Sequence, residues 1–529
     1  MAQIFDRIKL QKPKSSVFDL SHEKKLSLNM GDLVPVFIQE TLPGDKFKVN
    51  LEHLIRFQPL LAPIMHRVNV YTHFFFVPNR LVWNQWQDFI TGGREGTDTP
   101  PFPKIAMQTA DAQLLSYFKK GSLADYLGFP SSNIKDNQLN NIECSALPFR
   151  VYQLIYNEYY RDQNLSAPVD FSLTGGIAND EDIFKLRKRA WEKDYFTSAL
   201  PWAQRGEQLQ VPLSGSAPVI GNGETFIKLQ RVSDGAAATS GDLSTLNYGS
   251  YSIVKNQAGE SIMFASNEEQ GLSADMSQVT SSTINELRQA TSIQRFMEKM
   301  ARGGARYIEA IYSHFGVKSS DARLQRPEYL GGGKTPVIIS EVLQNSQSTE
   351  TSPQGTMVGH GISVGNTNEF RARFEEHGFV IGIMSIIPRT SYQNGLPRYM
   401  QKFDKFDYFW PDLAHIGEQE VKKSELFYNP TYLLENPANS GTFGYQPRYA
   451  EYRFVPDTVH GDMAGNLEFW HMGRKFSELP PLNQSFIESN PTHRIFAVED
   501  PTEHKLIVQT YTNFQAIRPI PKYGTPAGL

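Results

Sequence analysis

Cysteine is almost absent from this sequence, which contains Cys144 alone among 529 residues. A single thiol permits no disulfide within the chain, which suits a protein that assembles in a reducing cytoplasm. The hydrophobic fraction of 40% is ample for a sizeable core. We therefore expect a fold that is held together by packing rather than by covalent cross-links.

Long apolar runs are also missing. No run of about 18 apolar residues occurs, so we expect no membrane insertion. Residues 1–7 have no basic start followed by an apolar core, so the sequence predicts no secretion signal.

The chain has no excess of positive charge: it contains 52 Lys and Arg and 56 Asp and Glu, which gives a formal net charge of −4. A slightly acidic chain cannot neutralise a phosphate backbone unaided. If this protein meets nucleic acid, either its basic residues cluster on one surface or another protein supplies the cations.

Signatures of catalysis and of metal binding are weak or incomplete, so we assign no catalytic residue, no metal ligand and no cofactor. Gly331-Gly-Gly-Lys-Thr335 resembles the end of a phosphate-binding loop, but that loop needs a glycine where Glu328 stands. Ser363 lies in a Gly-x-Ser-x-Gly pattern, but β alternation over residues 370–376 follows where a nucleophile elbow requires a helix. Glu375-Glu-His377 is better explained as the end of a hairpin than as a metal site.

Aromatic residues are plentiful, at 12% of the chain, and favour β structure and large interfaces. Residues 33–40 and 68–77 read as strands. In the second, Val68, Val70, Thr72, Phe74 and Phe76 share one face, and the other face is mixed, so we expect a core on one side and a cover or a neighbour on the other. Residues 57–65 are apolar but broken by prolines, which predicts an extended arm that needs burial.

Further strands are predicted at residues 336–342, 370–376, 379–387 and 505–514, and a loop-dominated, aromatic region at 392–501. Helices are predicted at residues 149–165 and 180–195, and from the capping box Thr283–Glu286 to Gly303. Lys185, Arg187, Lys188 and Arg189 form either a solvated face or a phosphate contact. Long loops between buried strands predict a mainly β jelly roll.

We expect three parts in the chain: an N-terminal arm over residues 1–30, a jelly-roll domain with helical and loop insertions over 31–207 and 282–529, and an inserted surface lobe over 208–281. The lobe is rich in Gly, Ser, Ala and Asn, but residues 251–254 and 261–264 frame a turn and predict a hairpin. The alternative for this region is a disordered linker.

Candidate nucleic-acid contacts lie at the two ends of the chain. They are Lys9, Lys12, Lys14, Arg518, Lys522 and Tyr523. Backbone charge and base stacking are what single strands require, and these residue types supply both. The basic residues at the start of the chain are equally compatible with a solvated arm, and the end of the chain with a tail that packs on a neighbouring subunit.

Four blocks carry a resemblance to a known family: LAPIMHRVNVYTHFFFVPNRLVW with WQDFITGG, ISVGNTNEFRARFEEHGFVIGIMSIIPR, the aromatic tract 399–408, and FVPDTVHGDM. They resemble the major capsid protein of microviruses, icosahedral phages with single-stranded DNA, and in particular its gokushovirus branch. The blocks span most of the chain. Residues 208–281 resemble the family least.

The resemblance implies an antiparallel eight-stranded viral capsid jelly roll with helical loop insertions. It also implies a T=1 shell of sixty copies around a circular single-stranded DNA genome, assembled in the host bacterial cytoplasm and found in the virion. The implied partners are a small basic DNA-binding protein, a pilot protein and a host surface receptor, which the lobe would approach by protruding at threefold axes. The alternatives are a β-sandwich glycan hydrolase and a carbohydrate- or receptor-binding module.

Overall fold

The computed structural model describes residues 15–107, 112–131, 142–206, 284–304, 306–343, 357–498, 500 and 502–523, together with six short strands between positions 219 and 274. The chain divides into two units. The first comprises residues 1–205 and 298–529, and the second comprises residues 206–297.

Twenty strands are described, in chain order β1 (Ser16–Asp19), β2 (His22–Leu28), β3 (Val34–Thr41), β4 (Lys46–Phe57), β5 (Val68–Pro78), β6 (Lys104–Met107), β7 (Ile142–Ser145), β8 (Val219–Gly221), β9 (Leu229–Arg231), β10 (Ser244–Tyr248), β11 (Tyr251–Lys255), β12 (Ile262–Phe264), β13 (Leu272–Ala274), β14 (Glu328–Pro336), β15 (Ile338–Leu343), β16 (Met357–Arg373), β17 (Gly378–Pro388), β18 (Glu418–Lys422), β19 (Thr442–Pro447) and β20 (Leu506–Arg518).

Ten α-helices are described, namely α1 (Trp86–Thr91), α2 (Ala112–Ser116), α3 (Leu123–Leu127), α4 (Leu147–Ile155), α5 (Glu181–Phe184), α6 (Ile284–Gly303), α7 (Tyr307–Phe315), α8 (Lys423–Leu426), α9 (Pro437–Ser440) and α10 (Gln484–Ile487). Tyr156–Tyr160 continues α4 as a π-helical turn. The region between β17 and β20 consists mainly of loops and single 3₁₀ turns.

Two antiparallel sheets form the first unit's sandwich. One has the order β2–β20–β4–β16, with β1 also on β20 and β15 beyond β16, and the other has the order β3–β17–β5–β14. The strands β2, β3, β4 and β5 alternate between the sheets, and so do β14, β16, β17 and β20. This is the eight-stranded jelly roll, and the predicted fold class is confirmed.

Phenylalanines fill the space between the two sheets. The β5 residue Phe74 is fully buried, with its ring centroid 4.9 Å from that of Phe370 and 6.0 Å from that of Phe37. Phe37 in turn contacts Phe514 of β20 edge-on at 5.6 Å. Burial alternates along β4 and β20, whereas β5 is buried on both faces from Phe74 onward. Val68, Val70, Phe74 and Phe76 of β5 belong to the core between the sheets, as the sequence predicts.

Helices of the same chain cover the other face of the four-stranded sheet. Phe75 and Val77 of β5 and Ile381 of β17 belong to a second core with the buried residues of α3, α4 and α5. The hydroxyl of Tyr152 in α4 donates to the carbonyl of Leu33 over 2.9 Å, which ties the helix to the start of β3. The predicted cover is therefore intramolecular.

The N-terminal tract differs from the prediction of a weakly structured arm. From Ser16 it forms β1 and β2, and both pair with β20. In β2, Leu26 and Leu28 point to the core, whereas Lys24 extends its ammonium to the carbonyls of Pro35 and Tyr126. Four charged or polar residues precede Leu26 in this strand, so the apolar pattern that marks a strand is too short to recognise.

Two predicted helices are shorter in the structure. The first begins at Leu147 and changes to a π turn after Ile155. The second ends at Phe184, where residues 180–195 were predicted to be helical. The chain then runs extended, and Ala190 forms an isolated bridge with Glu488. Tertiary pairing outweighs the helix propensity of the basic residues that follow Phe184.

Among the described residues of the second unit are three two-stranded ribbons, β10–β11, β9–β12 and β8–β13. The predicted hairpin is wrong in its pairing, because Tyr251–Lys255 pairs with Ser244–Tyr248 and Ile262–Phe264 pairs with Leu229–Arg231. Of the turn predicted at 255–260, Lys255 is the last residue of β11 and residues 256–260 lie outside the described residues. Helix α6 follows at Ile284, as its capping-box signal predicts.

Candidate assembly surface and nucleic-acid contacts

A cluster of exposed apolar side chains, eight of them aromatic, lies in the loops between β17 and β20, and we call it the aromatic surface. Its members are Tyr399, Met400, Phe403, Phe406, Tyr408, Phe409, Trp410, Tyr452, Phe454 and Val455. Phe403 exposes 81% of its surface and Val455 exposes 85%. Soluble monomers seldom expose so many large apolar residues together, and such patches mark interaction sites.

Hydrogen bonds hold the backbone under this surface. The Tyr449 hydroxyl accepts from the amide of Trp410 over 3.1 Å and donates to the carbonyl of Tyr408 over 3.2 Å. The amide of Tyr449 donates to the Gln419 side chain over 3.0 Å. Tyr449 has a φ of 65°, a left-handed conformation that is uncommon for a residue with a side chain. The loop is therefore presented on a fixed scaffold.

A charged network lies beneath the rings. Arg398 donates to Glu425 over 2.9 Å, the Tyr195 hydroxyl donates to Glu425 over 2.8 Å, and Lys402 lies 3.2 Å from Glu451. Burial raises the pKa of Glu425, and Arg398 opposes that shift. The network has two cations and two carboxylates, so it is neutral as a whole and leaves no charge for a polyanion.

A cavity of about 630 Å³ opens between the network and the rings. Its walls include Tyr392, Pro397, Tyr399, Tyr452 and Phe454. Ligand pockets typically measure about 300–1,000 Å³. An apolar side chain of a partner fits such walls better than a charged group does.

The proline-broken arm at 57–65 is partly buried in its own chain. Leu60 and Ile64 belong to the core between the sheets, whereas Leu61 and Met65 are exposed. The prolines at 59 and 63 prevent a continuous ladder, and Leu60 makes isolated bridges with Gly359 and Phe496. The arm therefore contributes two apolar side chains to the surface rather than its whole length.

Predicted nucleic-acid contacts fall into three groups. Lys9, Lys12 and Lys14 lie outside the described residues. The Arg518 guanidinium is 3.0 Å from the buried carboxylate of Asp45 and donates to the carbonyl of Glu40 over 2.6 Å. Lys522 and Tyr523 are exposed. A role of these six residues in nucleic-acid binding stays a prediction, and the structure does not bring Arg518 to a free surface.

The basic patch at residues 185–189 has partners within the chain. Arg187 donates to Gln153 over 2.9 Å, and Lys188 donates to Asp32 over 3.1 Å. Arg189 donates to the Ser385 hydroxyl over 2.8 Å and lies 3.9 Å from the Tyr71 ring centroid. These contacts fasten the segment to β5, β17 and α4, which a sequence window cannot reveal.

Two of the three enzyme-like motifs are parts of strands, and the third lies in a connection between strands. Ser363 lies inside β16, where its hydroxyl donates to the carbonyl of Pro336 over 3.0 Å. The pattern's two glycines do not turn the chain, because Gly361 and Gly365 are both within β16. The glycine-rich motif lies in β14, where a Cβ on Gly332 would be 2.2 Å from the carbonyl oxygen of Thr72. His377 lies in the connection between β16 and β17.

His53 is buried beside Ser363, with its Nε2 3.4 Å from the serine Oγ. Burial lowers the pKa of His53 to about 4. In the described part of the chain, no three His, Cys, Asp or Glu side chains form a group that could hold a metal ion. Nor does any helix there have the length and apolarity needed to cross a membrane.

Sequence reasoning missed a polar pocket at the start of β5 and the end of β17. Arg67 immediately precedes β5 and Arg389 immediately follows β17, and both approach Asp457. The signal was present, because each arginine adjoins a predicted strand. Their proximity became visible only with the register of the two strands.

Comparisons with known proteins agree with this architecture. The model of the family described as capsid protein (F protein) matches residues 7–528. The chain is 36% identical to capsid protein VP1 of Chlamydia phage 1, over 99% of this chain and 98% of that protein. It is 38% identical to capsid protein VP1 of Bdellovibrio phage phiMH2K, over 97% of this chain and 95% of that protein, and 28% identical over the same shares to capsid protein VP1 of Spiroplasma virus 4.

Proposed function

Because this chain belongs to the phage capsid F protein family and is a major capsid protein of virions, we propose that sixty copies close into a T=1 icosahedral shell around circular single-stranded DNA. The predicted resemblance to the microvirus capsid proteins is confirmed by relatives that match over nearly the whole chain. Family membership also suggests a structural rather than an enzymatic role.

The observation that carries the assembly proposal is the aromatic surface. The core of the jelly roll is already packed, and these ten exposed apolar residues at 399–410 and 452–455 contribute nothing to it. Obligate interfaces are large and rich in aromatic residues, and they bury such side chains. A second copy of the chain is the partner that a shell supplies to every subunit.

Particle mass tests the T=1 proposal. Expression of the full chain, with the other virion proteins where assembly needs them, should yield particles whose mass corresponds to sixty copies. Cryo-electron microscopy of these particles should show icosahedral symmetry with one subunit per asymmetric unit. Monodisperse material at the chain mass of 59.9 kDa under all assembly conditions would contradict the proposal.

Genome packaging, in this proposal, relies on cations from outside the chain. The support is the net charge of −4 together with the internal pairing of Arg187, Lys188 and Arg518. A small basic DNA-binding protein or a polyamine would provide the missing charge. Purified DNA-filled particles that contain neither would contradict it.

Host attachment is proposed for the lobe at residues 208–281, with a host surface receptor as partner and a pilot protein assisting delivery. The support is its composition and its three short ribbons, which form a unit distinct from the sandwich. Replacement of residues 219–276 by a short Gly/Ser linker should preserve particle yield and reduce adsorption to host cells. Unchanged adsorption would remove the receptor role, and lost assembly would assign the lobe to subunit contacts.

A further inference from the structure

Two arginines become neighbours through strand register. Val68 of β5 pairs with Pro388 of β17, so the next residues outward are Arg67 and Arg389. The Arg389 amide donates to the Arg67 carbonyl over 2.9 Å, which continues the ladder by one step. Cross-strand neighbours have side chains close together, and two like charges in that position repel each other.

One carboxylate lies within ion-pair distance of both guanidiniums. The Oδ2 atom of Asp457 lies 2.9 Å from Nε of Arg389 and 3.6 Å from an amino nitrogen of Arg67. Each arginine is about half exposed or more, so water screens the repulsion without removing it. The pair keeps one positive charge in excess, and guanidiniums provide several donors in a fork that matches a phosphate group.

A buried hydroxyl without a partner lies in the same pocket. Ser391 is 5% exposed, and its Oγ atom makes no hydrogen bond. Buried polar groups are nearly always paired, so this hydroxyl is available to a polar group that enters the pocket. Ser391 is two residues beyond Arg389, on the same side of the β17 end.

The pocket has the size and walls for more than an anion. Its volume is about 450 Å³, within the range of ligand pockets. Ile64, Val337, Ile339 and Met463 give it an apolar side. His66 contributes an imidazole whose Nε2 donates to the Arg389 carbonyl over 2.6 Å, and burial lowers the pKa of His66. The imidazole is therefore neutral near pH 7.

We propose that this pocket binds one nucleotide of single-stranded DNA, with its phosphate on Arg67, Arg389 and the Ser391 hydroxyl and its base against the apolar side. The inference rests on the proposed packaging of single-stranded DNA and adds a location to it. One such nucleotide per subunit positions the genome on the shell without neutralising it, so the need for external cations is unchanged.

Binding of the full-length chain to a fluorescent oligothymidylate, measured by anisotropy at several salt concentrations, tests the pocket. The variant Arg67→Gln with Arg389→Gln should bind about tenfold more weakly, with a salt slope smaller by about 0.7 to 1 for the lost phosphate contact. The matched variant Arg371→Gln with Arg373→Gln removes the same charge from β16. It should change the affinity for oligothymidylate less than about twofold, because these two side chains lie outside the pocket.

Ser391→Ala separates binding from folding. Removal of an unpaired buried hydroxyl should leave the melting temperature equal or higher, whereas oligothymidylate binding should weaken. A lower melting temperature with unchanged binding would show a structural role and overturn the assignment of this residue.

Three ligands distinguish the source of the phosphate: inorganic phosphate, thymidine monophosphate and oligothymidylate. The proposal expects that the monophosphate and the oligonucleotide raise the melting temperature of the wild type but not of the doubly substituted pocket. A shift with inorganic phosphate alone would show a free-anion site and overturn the nucleotide assignment.

Particle formation distinguishes failure of this inference from failure of the proposed function. Particles of the pocket variant that form normally but bind less DNA support the pocket. The pocket variant could instead bind oligothymidylate like the wild type and fail to assemble. In that case the two arginines pair with an acidic side chain of a neighbouring copy. That result would overturn the nucleotide site and leave the shell proposal intact.

Discussion

The outer face of the β3–β17–β5–β14 sheet and the aromatic surface are both apolar, but only the sheet face is covered within the subunit. Helices of the same chain cover the sheet face and bury Phe75 and Ile381 almost completely. The rings at Tyr399 and Phe403 stay in water, although hydrogen bonds fix the loop that carries them. The first region completes the subunit, and the second, in our proposal, is covered by a neighbouring copy.

The difference concerns free energy as well as geometry. Burial of a large apolar side chain stabilises the folded state by about 1.5–3 kcal/mol relative to exposure. For the sheet face, folding of the subunit gains this burial free energy. In our proposal the aromatic surface gains the same contribution only on assembly, so substitutions in the two regions should affect different equilibria.

The largest effect on folding should follow Phe74→Ala. Phe74 is fully buried between the sheets, and its removal leaves a cavity next to Phe37 and Phe370. We expect a loss of about 3–5 kcal/mol in the free energy of unfolding. Denaturant titration of the unassembled chain measures it, and Val364→Ala at an exposed position of β16 should change it by less than about 0.5 kcal/mol.

Acid should weaken the sandwich through His53. Its pKa in the fold is lowered to about 4 by burial, whereas an unfolded histidine titrates near 6.5. Between these values the unfolded chain binds more protons, so stability is full above pH 6.5 and falls as the pH drops towards 4. The loss at pH 4.5 should be about 2.5 kcal/mol from this group.

Replacement of His53 by Gln removes that titration and should flatten the unfolding free energy between pH 7 and pH 4.5. His415→Gln, at an exposed site, should leave the pH dependence as it is in the wild type. An unchanged slope in the His53 variant would mean that the buried imidazole does not govern acid stability.

The smallest effect on folding should follow Tyr399→Ser combined with Phe403→Ser. Both side chains are mostly exposed, so the free energy of unfolding of the isolated chain should change by less than about 0.5 kcal/mol per site. Thermal unfolding of unassembled protein is the measurement. A loss comparable to that of Phe74→Ala would show that these rings belong to the subunit's own core and would remove the contrast between the regions.

The sandwich was predictable wherever alternation was long. Strands β5 and β17 and the connection at His377 follow from their apolar patterns, and the jelly roll follows from long loops between such strands. Strand β2 was not recognised, because its apolar residues occupy only its C-terminal end and Lys24 donates to carbonyls of distant residues. The helix predicted at 180–195 failed because its basic side chains pair with Gln153, Asp32 and Ser385.

Surfaces were less predictable than strands. The aromatic tract was visible in the sequence, since its rings occur in a loop-dominated region with no alternation that could bury them. The pocket at Arg67 and Arg389 was not, because 322 positions separate the two residues (389 − 67 = 322) and only the β5–β17 register brings them together. Arg518 looked like a free cation in the sequence, and its pairing with Asp45 depends on a contact across the sheet.

Assembly of the doubly substituted Tyr399→Ser, Phe403→Ser protein is the most direct test of the central claim that the aromatic surface is a contact between copies. Sedimentation and electron microscopy of material prepared alongside the wild type would measure the fraction in closed particles. The account predicts folded subunits with wild-type stability and at least a tenfold loss of particles, which corresponds to about 1.4 kcal/mol of contact energy. Wild-type particle yield from these subunits would contradict it.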